Sequence, residues 1–476
     1  MKTPKLCNVL AFPIRAAQTV ALKSKPSDPT HMVTVAEAAN GSRYACLPQP
    51  DGWKGIARLV AVVESGSRCE RSPKERGLSH LLRRSCGLTT DAYTAVNLTR
   101  HIQQMGAELR CKTTREHLIY TIDVAANLAP RAGHLLAHMA THTLFYDWEL
   151  KDLTYKLMQK DIDILNRRRL DALAVELLHE AAFGVHPDGS GLGNSLYATA
   201  DKLGNYSLND IHRFIERNFT PTKVAFAICG NGESVDGLEV CDSMCEAAQL
   251  HAPEAVIQPA KPLGFIGGEI RRNLELAEVT HAALAWSTPG REDAESTLAL
   301  AVCSRALAPP ITSIAYASAD CTLNPPDSDT YTAAAAIATP LYHIYSDQGL
   351  FGFMVTGSGG EAVANRVCFA REQLEKLANN GLSLRQFQQA KMRLKAHLLM
   401  LAESQTELTE DVAVQLLMNE QPEVRSAEAV CNSIDALQLE TVNKKLAALM
   451  LSSKAALSVV GSETSFVPPL ATLVKF

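Results

Sequence analysis

Between Leu109 and Val124 apolar and polar residues alternate, with an interruption at Thr113 to Glu116. Successive strand residues point to opposite faces, so this pattern predicts a two-stranded antiparallel pair with Leu118, Tyr120, Ile122 and Val124 on one face. From about Pro130 to His142 the spacing becomes that of an amphipathic helix. Later in the chain, Leu350 to Val355 reads as a strand and Glu361 to Ala378 as the helix after it. Ser383, with Gln386 three residues on, then opens a long helix through about Ala402 as a capping box.

Two distant segments share one plan. Leu208 to Gly230 and Leu439 to Gly461 each begin with a polar opening and a helix with apolar residues at helical spacing. Each then passes Lys223 or Lys454 into a short apolar strand ending in glycine. This reads as a duplication, so the expected fold class is α+β, with two similar domains each made of a mostly antiparallel sheet packed with helices. Weak periodicity and Pro253, Pro259 and Pro262 mark a connector. The expected organisation is an N-terminal arm at 1–34, a first domain at 35–235, a linker at 236–262 and a second domain at 263–476.

A chain of 476 residues with 46% apolar and 20% charged residues can bury two sizeable cores. A net charge of -5 argues against a nucleic-acid binder, and the run Arg167, Arg168, Arg169 is expected to be a solvated helix face. No apolar stretch reaches the roughly 18 residues that a spanning helix needs. Twelve cysteines occur without a C-x-x-C pair, which fits a reducing compartment, and the spacing of Cys241 and Cys245 reads as chance. The first 27 residues hold Lys2, Lys5, Arg15, Lys23 and Lys25 with no acidic residue before Asp28, the composition of a mitochondrial targeting segment or of a basic arm on a partner.

Two features invite a chemical reading and are set aside. His134, His138 and His142 lie four apart on one predicted helix, but no Glu stands beside them and they flank the apolar face of Leu135, Leu136 and Met139. Val355 to Gly360 is glycine-rich but lacks a phosphate-binding lysine, so it is expected to be a strand-to-helix turn.

The segment Gly77-Leu78-Ser79-His80-Leu81-Leu82-Arg83-Arg84 resembles the inverted zinc motif H-x-x-E-H of the pitrilysin and mitochondrial processing peptidase superfamily. Gly106 to Leu109 and Thr114 to Glu116 stand where that family has a strand pair after its zinc helix, and the duplication extends the resemblance over nearly the whole chain. In an active member two histidines bind zinc and the Glu before the second is the general base. The resemblance therefore puts His80 at the first ligand position, Arg83 at the base, Arg84 at the second ligand and Gln159 at the third, with Asp161 close to the same place. Arginine stays protonated, so it neither accepts a proton from water nor offers a lone pair to a cation. The expectation is a degenerate site with no catalytic residue, no metal and no cofactor.

Within the family, three stretches are most similar to the core-protein branch of the mitochondrial cytochrome bc complex (complex III). They are Gly77 to Arg83, Gly267 to Arg271 with His281 to Leu284 following, and Tyr345 to Phe353. The long glycine-rich loop of the non-catalytic processing-peptidase subunit is not evident; Ala306 to Asp329 offers only prolines. The resemblance implies a structural subunit at the matrix face of the mitochondrial inner membrane, attached through partners. Those partners would be a first core protein, cytochrome b, a cytochrome c-type subunit and the Rieske protein. The alternative it implies is the substrate-binding subunit of a processing peptidase.

Overall fold

In the first half, near-continuous apolar runs form central strands, and the alternating run Glu108–Thr113 forms an edge. The structure, a computed structural model, describes residues 33–48, 55–185, 191–230, 236–251, 264–307, 323, 336–418, 424–451 and 454–474. The strands in chain order are β1 (Thr34–Glu37), β2 (Arg43–Leu47), β3 (Ile56–Val63), β4 (Glu108–Thr113), β5 (Leu118–Ala125), β6 (Val224–Cys229), β7 (Gly268–Asn273), β8 (Thr280–Pro289), β9 (Ala336–Ile344), β10 (Gln348–Gly357) and β11 (Ala455–Gly461). Two sheets result, ordered β1-β2-β6-β3-β5-β4 and β7-β11-β8-β10-β9.

The duplication expected from sequence is visible in the pairing. β2 runs parallel to β6, which is antiparallel to β3; β7 runs parallel to β11, which is antiparallel to β8. The helices Leu208–Asn218 and Leu439–Met450 lead into the equivalent strands β6 and β11. β4 and β5 form the antiparallel pair read from the alternation, and Leu118, Tyr120, Ile122 and Val124 are all buried in one core. The capping box at Ser383 and Gln386 opens the Leu384–Glu403 helix, and the Gly-rich stretch is the turn between β10 and the Gly360–Asn380 helix. Arg167, Arg168 and Arg169 are exposed, as expected of a solvated face.

The connector is a correction. Gly237–Ala248 is a helix, capped by Asp236, that packs on the Ala129–Thr141 helix and on β2 and β6. Cys241 and Cys245 are fully buried on its inner face, so their spacing of four is that of a helix's core side rather than chance. The expected linker residues 252–262, the arm at 1–32 and most of 306–329 lie outside the described residues.

Each half is completed by the other. β3 is apolar on both sides: Leu59, Ala61 and Val63 face the first half's own helices, while Val60 and Val62 meet Val412, Ala413 and Leu416 of the Gln405–Met418 helix. On the second sheet, Ala283 and Ala285 of β8 and Ala456 of β11 are covered by Leu178, Ala181 and Ala182 of the Leu170–Phe183 helix from the first half. The exchange explains why the Leu170–Phe183 helix has a weakly sided sequence: it is apolar on most faces because residues of both halves bury it.

Candidate functional site

The Leu78–Arg84 helix begins at Gly77, whose φ of +84° suits glycine and whose place a Cβ would contest with Tyr206 and Ala198. No residue at the N-cap accepts a side-chain bond there; Glu70 does the capping instead. Its buried carboxylate accepts from Gly77 N–H at 2.9 Å, Ser79 N–H at 3.0 Å and Ser79 Oγ at 2.7 Å. Burial pushes this carboxyl up to about 7, against the hydrogen bonds from Ser79 and Gly77 that lower it. Leu78, Leu81 and Leu82 anchor the helix in the core, and His80, Arg83 and Arg84 turn together toward the Tyr155–Arg167 helix.

They converge on Asp161. Its Oδ2 accepts from Arg83 Nη2 at 2.8 Å, Arg84 Nε at 2.6 Å and His80 Nε2 at 3.1 Å, and Oδ1 accepts from Arg84 Nη2. Arg83 also lies over the Tyr197 ring, 5.5 Å from its centroid. Burial alone would raise the Asp161 carboxyl. The hydrogen bonds from His80 and Arg84 and the two guanidinium charges outweigh it and hold the carboxyl well below the usual range.

Gln159 is not in this cluster. It is exposed and donates to Asp163 at 3.1 Å, so Asp161 rather than Gln159 faces His80, Arg83 and Arg84. Helical periodicity carries the signal for this. Met158, Ile162 and Leu165 are the buried positions of that helix, and Asp161 shares their side while Gln159 does not.

His80 is fully buried, and both its nitrogens are engaged. The Ala198 N–H can only donate, and it donates to Nδ1 at 3.1 Å, so the proton sits on Nε2 and goes to Asp161. Burial, first among the causes, lowers its pKa and keeps the ring neutral. No lone pair is left for a metal. Two guanidinium groups against one carboxylate give the cluster a net positive charge, so the residues present do not fit zinc, and no water-activating base stands among them.

A second built site, which sequence reasoning missed, joins the halves. The β4–β5 turn carries Arg115 and Glu116, and the β9–β10 turn carries Tyr345, Ser346 and Asp347. Arg68 binds Glu116 at 2.8 Å, Ser346 Oγ at 2.8 Å and Asp347 at 2.6 Å, while Glu116 accepts from Ser346 N–H at 2.9 Å. Below it Arg115 pairs with Glu176 at 2.7 Å, and His179 meets the Tyr345 hydroxyl at 2.7 Å. Two stretches that carried the family resemblance, Thr114 to Glu116 and Tyr345 to Phe353, thus touch each other. Their shared task is to lock one domain to the other.

Among the described residues no helix is long and apolar enough to cross a membrane. A family model described as insulinase (peptidase family M16) matches residues 53–197, and one described as the peptidase M16 inactive domain matches 205–394. Similar curated proteins include mitochondrial cytochrome b-c1 complex subunit 2 of Homo sapiens, 27% identical over 411 residues, covering 84% of this chain and 83% of that protein. The alpha subunit of the mitochondrial-processing peptidase of Solanum tuberosum is 26% identical over 404 residues, covering 82% of this chain and 75% of that protein. The mitochondrial ubiquinol-cytochrome-c reductase complex core protein I of Euglena gracilis is 26% identical over 401 residues, covering 79% and 77%.

Proposed function

Because the chain belongs to the M16 peptidase family, matching models of both its domains in order over more than half its length, we propose that it is a non-catalytic core subunit of ubiquinol-cytochrome c reductase. The position is that of the second core protein, core subunit 2. In this reading it sits peripherally on the matrix side of the mitochondrial inner membrane. It pairs with a first core protein and contacts cytochrome b, the cytochrome c-type subunit and the Rieske protein, supporting assembly and stability without holding a cofactor.

The observation that carries the non-catalytic part is the closed cluster of His80, Arg83, Arg84 and Asp161, in which every group that could serve zinc or water is replaced or occupied. The similarity to cytochrome b-c1 subunit 2 supports the complex. The similarity to the processing-peptidase alpha subunit supports the second reading, a substrate-binding partner of an active peptidase subunit. Native electrophoresis of mild detergent extracts separates them. The expected result is co-migration with a large heme-containing assembly, whereas recovery only as a heme-free soluble particle would replace the first reading by the second.

A further inference from the structure

The Ala129–Thr141 helix and the residue after it carry His134, His138 and His142 one turn apart, with ring centroids separated by 4.6 and 4.9 Å. Sequence spacing set no carboxylate beside them, but the fold does. Residues 89–94 are laid against the end of that helix by the bridge between Thr90 and Thr143. Two backbone bonds hold it there, Leu144 N–H to Thr89 at 3.0 Å and Asp91 N–H to His142 at 3.2 Å. Asp91 Oδ1 thereby stands 3.2 Å from His138 Nδ1, and one ligand atom from each of Asp91, His138 and His142 lies within 4.8 Å of the others.

We propose that Asp91, His138 and His142 form a binding site for a divalent transition-metal ion of the zinc class, separate from the degenerate family site on the Leu78–Arg84 helix. Around a tetrahedral ion with bonds of about 2.0–2.2 Å, ligand atoms stand roughly 3.4 Å apart. The Asp91–His138 pair already has that separation, and the remaining approach is within a side-chain adjustment of the half-exposed Asp91 and His142. The ion takes the place of the proton now shared between His138 and Asp91. Two imidazole nitrogens and one carboxylate oxygen suit zinc, with water as a fourth ligand.

The surroundings hold these groups in place. Thr141 Oγ1 is 2.7 Å from His142 Nδ1 and donates to Ala137 C=O at 2.9 Å, and the Tyr93 ring lies edge-on to His134 and His138 at 6.4 and 5.9 Å.

The test uses the full chain, stripped with a chelator and titrated with Zn²⁺ by calorimetry and with Co²⁺ by visible absorption. One equivalent per chain is expected, with the intense absorption of four-coordinate cobalt. Asp91→Asn and His142→Ala, both at accessible side chains, should each weaken binding at least about tenfold, the lower end of what even supporting residues contribute. His397→Ala, a histidine elsewhere, should bind like the parent. Absence of saturable uptake by the parent, or uptake that survives both substitutions, would overturn the assignment.

Discussion

Replacing Arg83 by Glu and Arg84 by His writes the inverted zinc motif back onto its helix, with Asp161 already facing it. A His142→Ala background removes the separate histidine site from the measurement. In the parent, two guanidinium groups and one carboxylate leave one net positive charge. A Zn²⁺ ion about 4 Å from that charge meets roughly 8 kcal/mol of repulsion at an effective dielectric near 20, about six orders of magnitude in affinity. The double replacement turns the same cluster to two net negative charges, matched to the ion. One obstacle remains, because His80 Nδ1 accepts from Ala198 N–H, and turning the ring's tautomer toward a metal strands that donor at a cost of about 1–3 kcal/mol. Binding roughly 5- to 150-fold weaker than at a site without that conflict is therefore expected. If Kd is about 1 μM, 100 μM zinc adds about 2.7 kcal/mol of stability, visible as a rise of a few degrees in thermal unfolding. Peptidase activity is not expected, since catalysis needs a cleft and supporting groups held to within about 0.5 Å. A folded double variant indifferent to zinc, or a parent in the same background that takes zinc at this helix, would refute the reasoning.

Asp161→Asn should cost about 2–4 kcal/mol by urea unfolding, since it leaves two partly buried guanidinium groups facing each other; a change below about 0.5 kcal/mol would mean that solvent already screens the cluster. The Asp161 carboxyl is depressed in the folded state, so its contribution is present above the unfolded value near 3.8 and is lost as pH falls toward the folded one. The parent should therefore lose stability below about pH 4 more steeply than Asp161→Asn. Leu416→Ala removes a fully buried side chain from the exchanged helix and should cost about 2–5 kcal/mol. Because the halves share helices, Trp286 fluorescence in the second core should report the same lowered midpoint; an unchanged Trp286 transition would show that the halves unfold independently. Gly352→Ala drives a Cβ into the Leu284 carbonyl oxygen and should force β8 and β10 apart, at a cost of about 3 kcal/mol or more.

Local pattern carried the element types. Period-two alternation at 109–124 placed β4 and β5, and the Ser383 capping box placed the start of its helix, because these signals lie within one turn or one hairpin. The duplicated segments gave the two-domain plan for the same reason. Non-local facts were hidden. Nothing within 405–418 says that Val412 and Leu416 pack on a sheet made of residues 34–229, and nothing near His138 announces Asp91, which arrives through a loop 47 residues earlier. The choice between Gln159 and Asp161 was legible in principle, since the buried stripe of Met158, Ile162 and Leu165 points one way only. Cys241 and Cys245 were obscured by the prolines that follow them, which made a buried helix look like connector.

The helix exchange has a consequence for how this chain is born. A domain that closes on its own residues can fold as it leaves the ribosome, but here the first sheet waits for its cover. β6 ends at Cys229 and the helix that covers it begins at Gln405. At roughly 5–20 residues per second the face bearing Val60, Val62, Ala225 and Ala227 stays bare for on the order of 10 to 35 s. The bonds that finish the job span most of the polypeptide, Arg43 to the Leu416 carbonyl at 2.9 Å and Thr121 to Glu410 at 3.3 Å. Such distant closures are slow, and an uncovered apolar sheet invites association. A nascent chain stalled before residue 405 is therefore a client for a chaperone, and a product truncated there is a candidate for degradation rather than a smaller working domain.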